Sequence, residues 1–130
     1  MNTREIGAFF EEKCCEYLLQ NGYEILRKNY TVRGGEIDII AKKGEVISFV
    51  EVKARKEAVF SLPREAVGVR KQKRIILAAQ KYIMEKEISD MGFSFDVIEV
   101  LYASKSKSLL VEKMEHIPDA FLFAEESVIF

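Results

Sequence analysis

Two short runs hold the residues whose types and spacing could do chemistry: Glu36-Ile37-Asp38-Ile39-Ile40 and Phe49-Val50-Glu51-Val52-Lys53. Both are apolar and rich in β-branched residues, so each reads as a strand. Strand side chains alternate faces, which sets Glu51 and Lys53 on one face with Ile47 and Phe49. Charged groups at the end of so apolar a strand need a reason. Gly44-Glu45 reads as a two-residue hairpin loop between the runs. Lys43 then pairs with Val46, and counting back along both strands sets Asp38 opposite Glu51. Directly opposed residues hold their Cβ atoms about 4.5–5.5 Å apart. Two carboxylates that close repel unless a cation sits between them. Mg²⁺ takes one or two carboxylates, waters and phosphate oxygens, and would suit this pair. Lys53 beside it could stabilise charge developing on a phosphate or orient the attacking water. Together these groups suit phosphodiester hydrolysis. On spacing alone the alternative is a set of salt bridges from Asp38 and Glu51 to Lys53 and Arg55 at a sheet edge.

Glu11 is a third acidic candidate, placed inside a helix beside Glu12 and flanked by Phe10, Cys14 and Leu18. It either reaches the metal, directly or through water, or is a solvated helix charge. Charge is segregated further along. Residues 51–86 carry ten Lys and Arg against four Asp and Glu, whereas residues 108–130 carry one Lys against five acids. Arg70, Lys71, Lys73 and Arg74 fall at the start of a long helix, where positive charge opposes the macrodipole. Phosphate contact is one use for them and plain solvation the other.

The elements that must position these groups follow from periodicity. A first helix runs from Thr3, its expected cap, with Ile6, Phe9, Phe10, Cys14, Tyr17 and Leu18 at helical spacing. Asn21-Gly22 ends it, with Gly22 in the left-handed region. Residues 23–31, 36–42 and 46–53 read as strands, with a turn at Arg33-Gly34-Gly35. An irregular stretch covers 54–63. A long helix follows from Arg64 or Val67 to Lys86. Strands at 93–101 and 109–116 flank a turn at 104–107, and Pro118 opens a short tail carrying Phe121 and Phe123. The order is αβββαββ, an α/β fold in one domain spanning 1–130, and the strands flanking the long helix are expected to run parallel.

Composition narrows the function classes. The chain has 130 residues, 48% hydrophobic and 32% charged, with net charge −1, which excludes a uniformly basic coat but not a basic face. The adjacent Cys14 and Cys15 give no disulfide framework and read as helix core positions. The single histidine, His116, and the lack of a CxxC argue against a Cys/His zinc site and against Ser-His-Asp chemistry. His116 reads as structural, Asp96 as a strand residue paired with a basic group, and Phe93 and Phe95 as core. With no apolar leader and no apolar run of membrane-spanning length, the expected location is cytoplasmic.

Asp38…Glu51-Val52-Lys53 resembles the PD-(D/E)XK motif of restriction-endonuclease-like nucleases. The wider pattern resembles the YraN-type family, which is similar in fold to archaeal Holliday-junction resolvases. It includes Gly7-x-x-x-Glu11, Tyr17-Leu18, Gly22-Tyr23-x-Ile25-Leu26, Gly35-Glu36-Ile37-Asp38-Ile39-Ile40-Ala41 and Phe49-Val50-Glu51-Val52-Lys53. Pro63-x-Glu65-Ala66-Val67, Lys71, Phe95-Asp96-Val97 and His116-Ile117-x-x-Ala120-Phe121 complete it. The resemblance implies a restriction-endonuclease-like mixed sheet flanked by helices and an Mg²⁺-dependent site, with Mn²⁺ as a substitute. Asp38 and Glu51 would be metal ligands, joined by the Val52 carbonyl. Lys53 would be the catalytic lysine, and Glu11 would stand where resolvase-like members carry a helix-borne glutamate. Lys71 would contact phosphate, with Arg55, Arg70, Lys73 and Arg74 as further nucleic-acid contacts. The sequence departs from the pattern at Ile37 (motif proline), Phe10 (a second glycine) and Cys14 (an alanine).

The leading expectation is a metal-dependent endonuclease acting on nucleic acid, with structured or branched DNA as substrate. A homodimer is expected by analogy with resolvases. A non-catalytic nucleic-acid-binding module of the same fold is the second reading. The third is a protein-interaction adaptor that docks through Phe121, Phe123 and Phe130.

Overall fold

The computed structural model describes residues 1–56 and 67–122. The order is α1 (Thr3–Gln20), β1 (Glu24–Val32), β2 (Gly35–Lys43), β3 (Val46–Lys56), α2 (Val69–Glu85), β4 (Gly92–Lys105) and β5 (Ser108–Phe121). This is the αβββαββ order read from periodicity. The five strands form one mixed sheet in sequence order. All neighbours are antiparallel except β3 and β4, which run parallel across the connection that carries α2.

Helix α1 is capped by Asn2, not by Thr3. The Asn2 side chain accepts the Glu5 N–H at 2.9 Å, and Glu5 accepts the Asn2 N–H at 3.2 Å. The glutamate three residues after Asn2 closes this reciprocal box, which leaves Thr3 as a helical residue. The other end closes at Gly22 (φ +87°), with Tyr23 N–H on the Leu18 carbonyl and Gly22 N–H on Leu19. That is a Schellman cap, and it turns the chain directly into β1.

The sheet is packed on both faces. Phe10, Cys14, Cys15 and Leu18 of α1 bury against Ile39, Ala41, Val50, Ile98 and Val100. On the opposite face Ile75, Ile76, Ala78, Ala79 and Tyr82 of α2 bury against Ile40, Ile47, Phe49, Phe95 and Val97. Alternation along β3 and β4 supplies one residue to each layer in turn, so both strands read as continuous apolar runs. Cys14 is wholly buried and its thiol is pushed up to about 12, chiefly by burial. Both cysteines are core residues, as their helix positions implied.

Three strand ends differ from the sequence reading, the first being β4, which runs on from Leu101 to Lys105. Strand β3 continues past Lys53 to Lys56, paired with β4 as far as Tyr102. Strand β5 does not stop at His116 but runs through Pro118 to Phe121. Proline is tolerated because β5 is an edge strand whose ladder shifts there, with Asp119 at φ +50°. Phe121 stacks on Phe95 at 5.1 Å and closes the α2-side core. Phe123, Phe130, Glu65, Pro63 and the Arg64 helix start lie outside the described residues.

Gly35 sets how closely β2 and α2 approach. A Cβ there would collide with the Arg74 carbonyl oxygen and press on Ala78. These are backbone and near-backbone atoms of a helix, so nothing can swing aside. Gly35→Ala is expected to cost about 1–3 kcal/mol and to lower the melting temperature by several degrees. An unchanged melting temperature would mean that the helix does not rest on this strand.

Candidate active site

Asp38 is aimed by a break in strand alternation. Ile37 and Ile39 are two apart and should share a face, yet Ile37 joins the α2-side core and Ile39 the α1-side core. The same switch occurs on β1. Lys28 reaches Glu12 of α1, whereas Tyr30 packs on the α2 side. Between them Asn29 sits at φ +51°, a left-handed conformation that asparagine tolerates. Lys28 pairs with Ile39 and Tyr30 with Ile37, so Asn29 falls opposite Asp38. Both strands therefore turn over at one rung.

The hairpin register is the expected one, from Lys43 opposite Val46 to Ile39 opposite Val50. One step further the backbone ladder gives way to a side chain. The Asp38 Oδ2 accepts the Val52 N–H at 2.8 Å. Asp38 thus lies half-buried in the opening between β2 and β3.

Glu51 is held against it. Its side chain is only 8% exposed, and its carboxyl is hydrogen-bonded to that of Asp38. Burial first, then the Asp38 charge, push the Glu51 carboxyl up to about 8, against the pull of Lys71 and Lys53. A carboxyl kept protonated between a buried wall and a carboxylate marks a place where a cation would replace the proton. Glu11 is half-buried on α1, close enough for Asp38 to raise its carboxyl, after burial as the larger cause. The Asn29 side chain lies beside Glu11 and offsets part of that rise. The bulk of Phe10 and Cys14 goes into the core and leaves Glu11 at the site.

The lysines divide the work. Lys53 is half-buried, opposite Glu99 in the β3–β4 ladder, and its charge acts on Glu51. Among the described residues no ion pair joins Lys53 to Asp38 or Glu51. Lys71 reaches down from the first turn of α2, 2.9 Å from Glu36 and 3.9 Å from Glu51. Hydrogen bonding to this lysine pulls the Glu36 carboxyl below its usual value. Arg55 pairs with Glu99 at 3.0 Å, with both side chains largely buried. Arg70, Lys73 and Arg74 stand exposed on α2. Neither Glu36 nor Asn29 stood out as functional in the sequence. Glu36, two residues before Asp38 on an apolar strand, carried a signal; Asn29 carried none.

Among the described residues, no three His, Cys, Asp or Glu side chains gather tightly enough to hold a metal alone. Asp38 and Glu51 form a pair, with Val52 between Glu51 and Lys53 in the chain. Such a set is all oxygen and leaves room for water and phosphate, which fits Mg²⁺ or Mn²⁺ better than a softer ion.

A second polar cluster lies on β4 and β5, where Asp96 pairs with Val50 of β3. Asp96 accepts from Ser94 and from the Asp119 N–H, and its second oxygen meets His116 Nε2 at 2.7 Å. Asp96 is 1% exposed, and its bonds to His116 and to the Asp119 N–H tie β4 to β5. His116 is a structural residue, and the basic partner anticipated for Asp96 is this histidine. Among the described residues no helix is long and apolar enough to cross a membrane.

The family model described as "Uncharacterised protein family UPF0102" matches residues 10–100, which contain Glu11, Asp38, Glu51, Lys53 and α2. A UPF0102 protein of Dictyoglomus turgidum is 39% identical over 93% of this chain and all of its own length. One from Clostridioides difficile strain 630 is 44% identical over 93% of this chain and all of its own. One from Clostridium tetani is 46% identical over 77% of this chain and 82% of its own.

Proposed function

The chain belongs to the UPF0102 family, the YraN-like group, and from that premise we propose that it is a metal-dependent nuclease acting on structured or branched DNA. The observation that carries this reading is the buried Glu51 pressed against Asp38 where β2 and β3 part. Asp38, Glu51 and the Val52 carbonyl would hold Mg²⁺, which supplies charge neutralisation and an activated water when bound. The Val52 N–H fixes the Asp38 rotamer, so one carboxylate oxygen is presented without reorganisation. Lys53 meets the negative charge that develops on phosphorus. Lys71, paired with Glu36 and 3.9 Å from Glu51, stands at the same opening. The basic side chains of α2 hold the backbone beside it.

The second reading, a binding module without turnover, draws on the pair, rather than trio, of converging carboxylates. One experiment separates the two. Labelled single strands, duplexes, flaps, four-way junctions and structured RNA are incubated with the purified protein in Mg²⁺, Mn²⁺ or EDTA. Cutting of at least one substrate in either metal, absent in EDTA and in Asp38→Asn, is expected. Tight binding with no cutting in any metal would favour the module. Of the three phenylalanines in the adaptor reading, Phe121 is used in the core, and Phe123 and Phe130 lie outside the described residues.

A further inference from the structure

Arg70, Lys73, Arg74 and Leu77 recur at i, i+3, i+4 and i+7, so they share one stripe of α2. With Val69 and Gly34 they line a cleft of about 380 Å³ where the helix meets the β1–β2 turn. Gly34 holds φ +85° there, and Leu77 packs against its Cα side. The cleft is cationic at its rim and apolar in its lining. Val69 is 63% exposed at the start of the basic run Arg70–Arg74. Among the described residues, no ion pair within 4 Å engages Arg70, Lys73 or Arg74.

A duplex backbone presents phosphates and sugars, and a row of cations is enough to meet it. An exposed apolar lining beside three cations suits something more: a phosphate joined to a flat apolar face. A nucleotide out of its stack offers that face together with its charge. We infer that this cleft binds one unpaired nucleotide, with its phosphate on Arg70, Lys73 and Arg74 and its base or sugar on Val69 and Leu77. The inference deepens the nuclease reading and rests on it only for why nucleic acid comes to this face. It names the substrate class as nucleic acid with an unpaired segment next to the cleaved bond.

The test is fluorescence anisotropy in EDTA, where nothing is cut. A 20-base-pair blunt DNA duplex is compared with the same duplex carrying a five-nucleotide single-stranded tail. The tail is expected to tighten binding about fivefold, the order that apolar contact of one base with Val69 and Leu77 gives. Val69→Ser keeps the fold, because the residue is exposed and opens the helix. It should remove most of that gain and leave blunt-duplex binding within about twofold. Arg70→Ala with Arg74→Ala should weaken both substrates and lower the salt slope by about 1.4–1.8, at roughly 0.7–0.9 per cation. Equal binding of tailed and blunt DNA would overturn the inference, as would a tail preference that survives Val69→Ser. A Val69-dependent tail preference with no cutting of any substrate in Mg²⁺ would uphold the cleft while the nuclease reading fails.

Discussion

Glu51→Gln is expected to make the metal-free protein more stable at pH 8.5 while destroying its response to Mg²⁺. The folded carboxyl is pushed up to about 8, whereas an unfolded glutamate titrates near 4.5. Between those values the native state holds a proton that the unfolded state has lost. Native stability therefore falls as pH rises from about 4.5 to about 8, and the loss is complete above that window. A shift of this size is of the order of several kcal/mol. Glutamine carries no charge to bury, so the variant's melting temperature should exceed the wild type's by about 5 °C or more at pH 8.5. The two should converge near pH 4.5. Mg²⁺ should raise the wild-type melting temperature and leave the variant's unchanged. Thermal unfolding across pH, with and without Mg²⁺, reads all of this. A variant that melts lower than wild type at pH 8.5 would show that Glu51 is ionised and paired, not strained. The expected pattern is that of a site kept at the expense of stability.

Much of this arrangement was legible in the sequence because it depends on local rules. A two-residue loop at Gly44-Glu45 fixes the β2–β3 register, and that register alone brings residues 38 and 51 level. Continuous apolar runs in β3 and β4 and the basic helix between them give the parallel pair. What escaped is non-local. The turnover of β1 and β2 at one rung needs Asn29 and Asp38 to be facing, and they are nine residues and one turn apart. Lys71 is drawn to Glu36 and Glu51 by the docking of α2 on Gly35, which no periodicity reveals. Arg55 meets Glu99 only because β3 runs on to Lys56 beside β4.

Two aspartates show why residue type alone does not mark a site. Asp38 and Asp96 both accept a backbone N–H where a ladder is interrupted: Val52 for one, Asp119 for the other. Asp96 also takes Ser94 and His116 and is sealed from solvent, so its bonding capacity is spent on holding β5. Asp38 is half-buried and faces a second carboxyl. One satisfies its neighbours and the other leaves a demand that a cation would meet.

Lys53→Gln is expected to lower cleavage by about 100- to 1,000-fold, the usual loss when one charge-stabilising donor is removed. It should also leave Mg²⁺ affinity by calorimetry and DNA affinity in EDTA within a few-fold. The reason lies in the division between the two lysines. Lys71 already offsets Glu36 and Glu51 from α2. Lys53 stands on the strand itself, two residues past Glu51 and on the same face, with no ion pair to either carboxylate among the described residues. Its charge is therefore not consumed in the resting site and remains for a phosphate. Equal losses in metal affinity and cleavage would instead make Lys53 a counter-charge for Glu51. In that case Glu51→Gln should raise the melting temperature at pH 8.5 by more in the Lys53→Gln background than in the wild type, because losing the ammonium pushes the Glu51 carboxyl further up. The ammonium's pull on Glu51 is the smallest of the influences acting there, so the first outcome is the expected one.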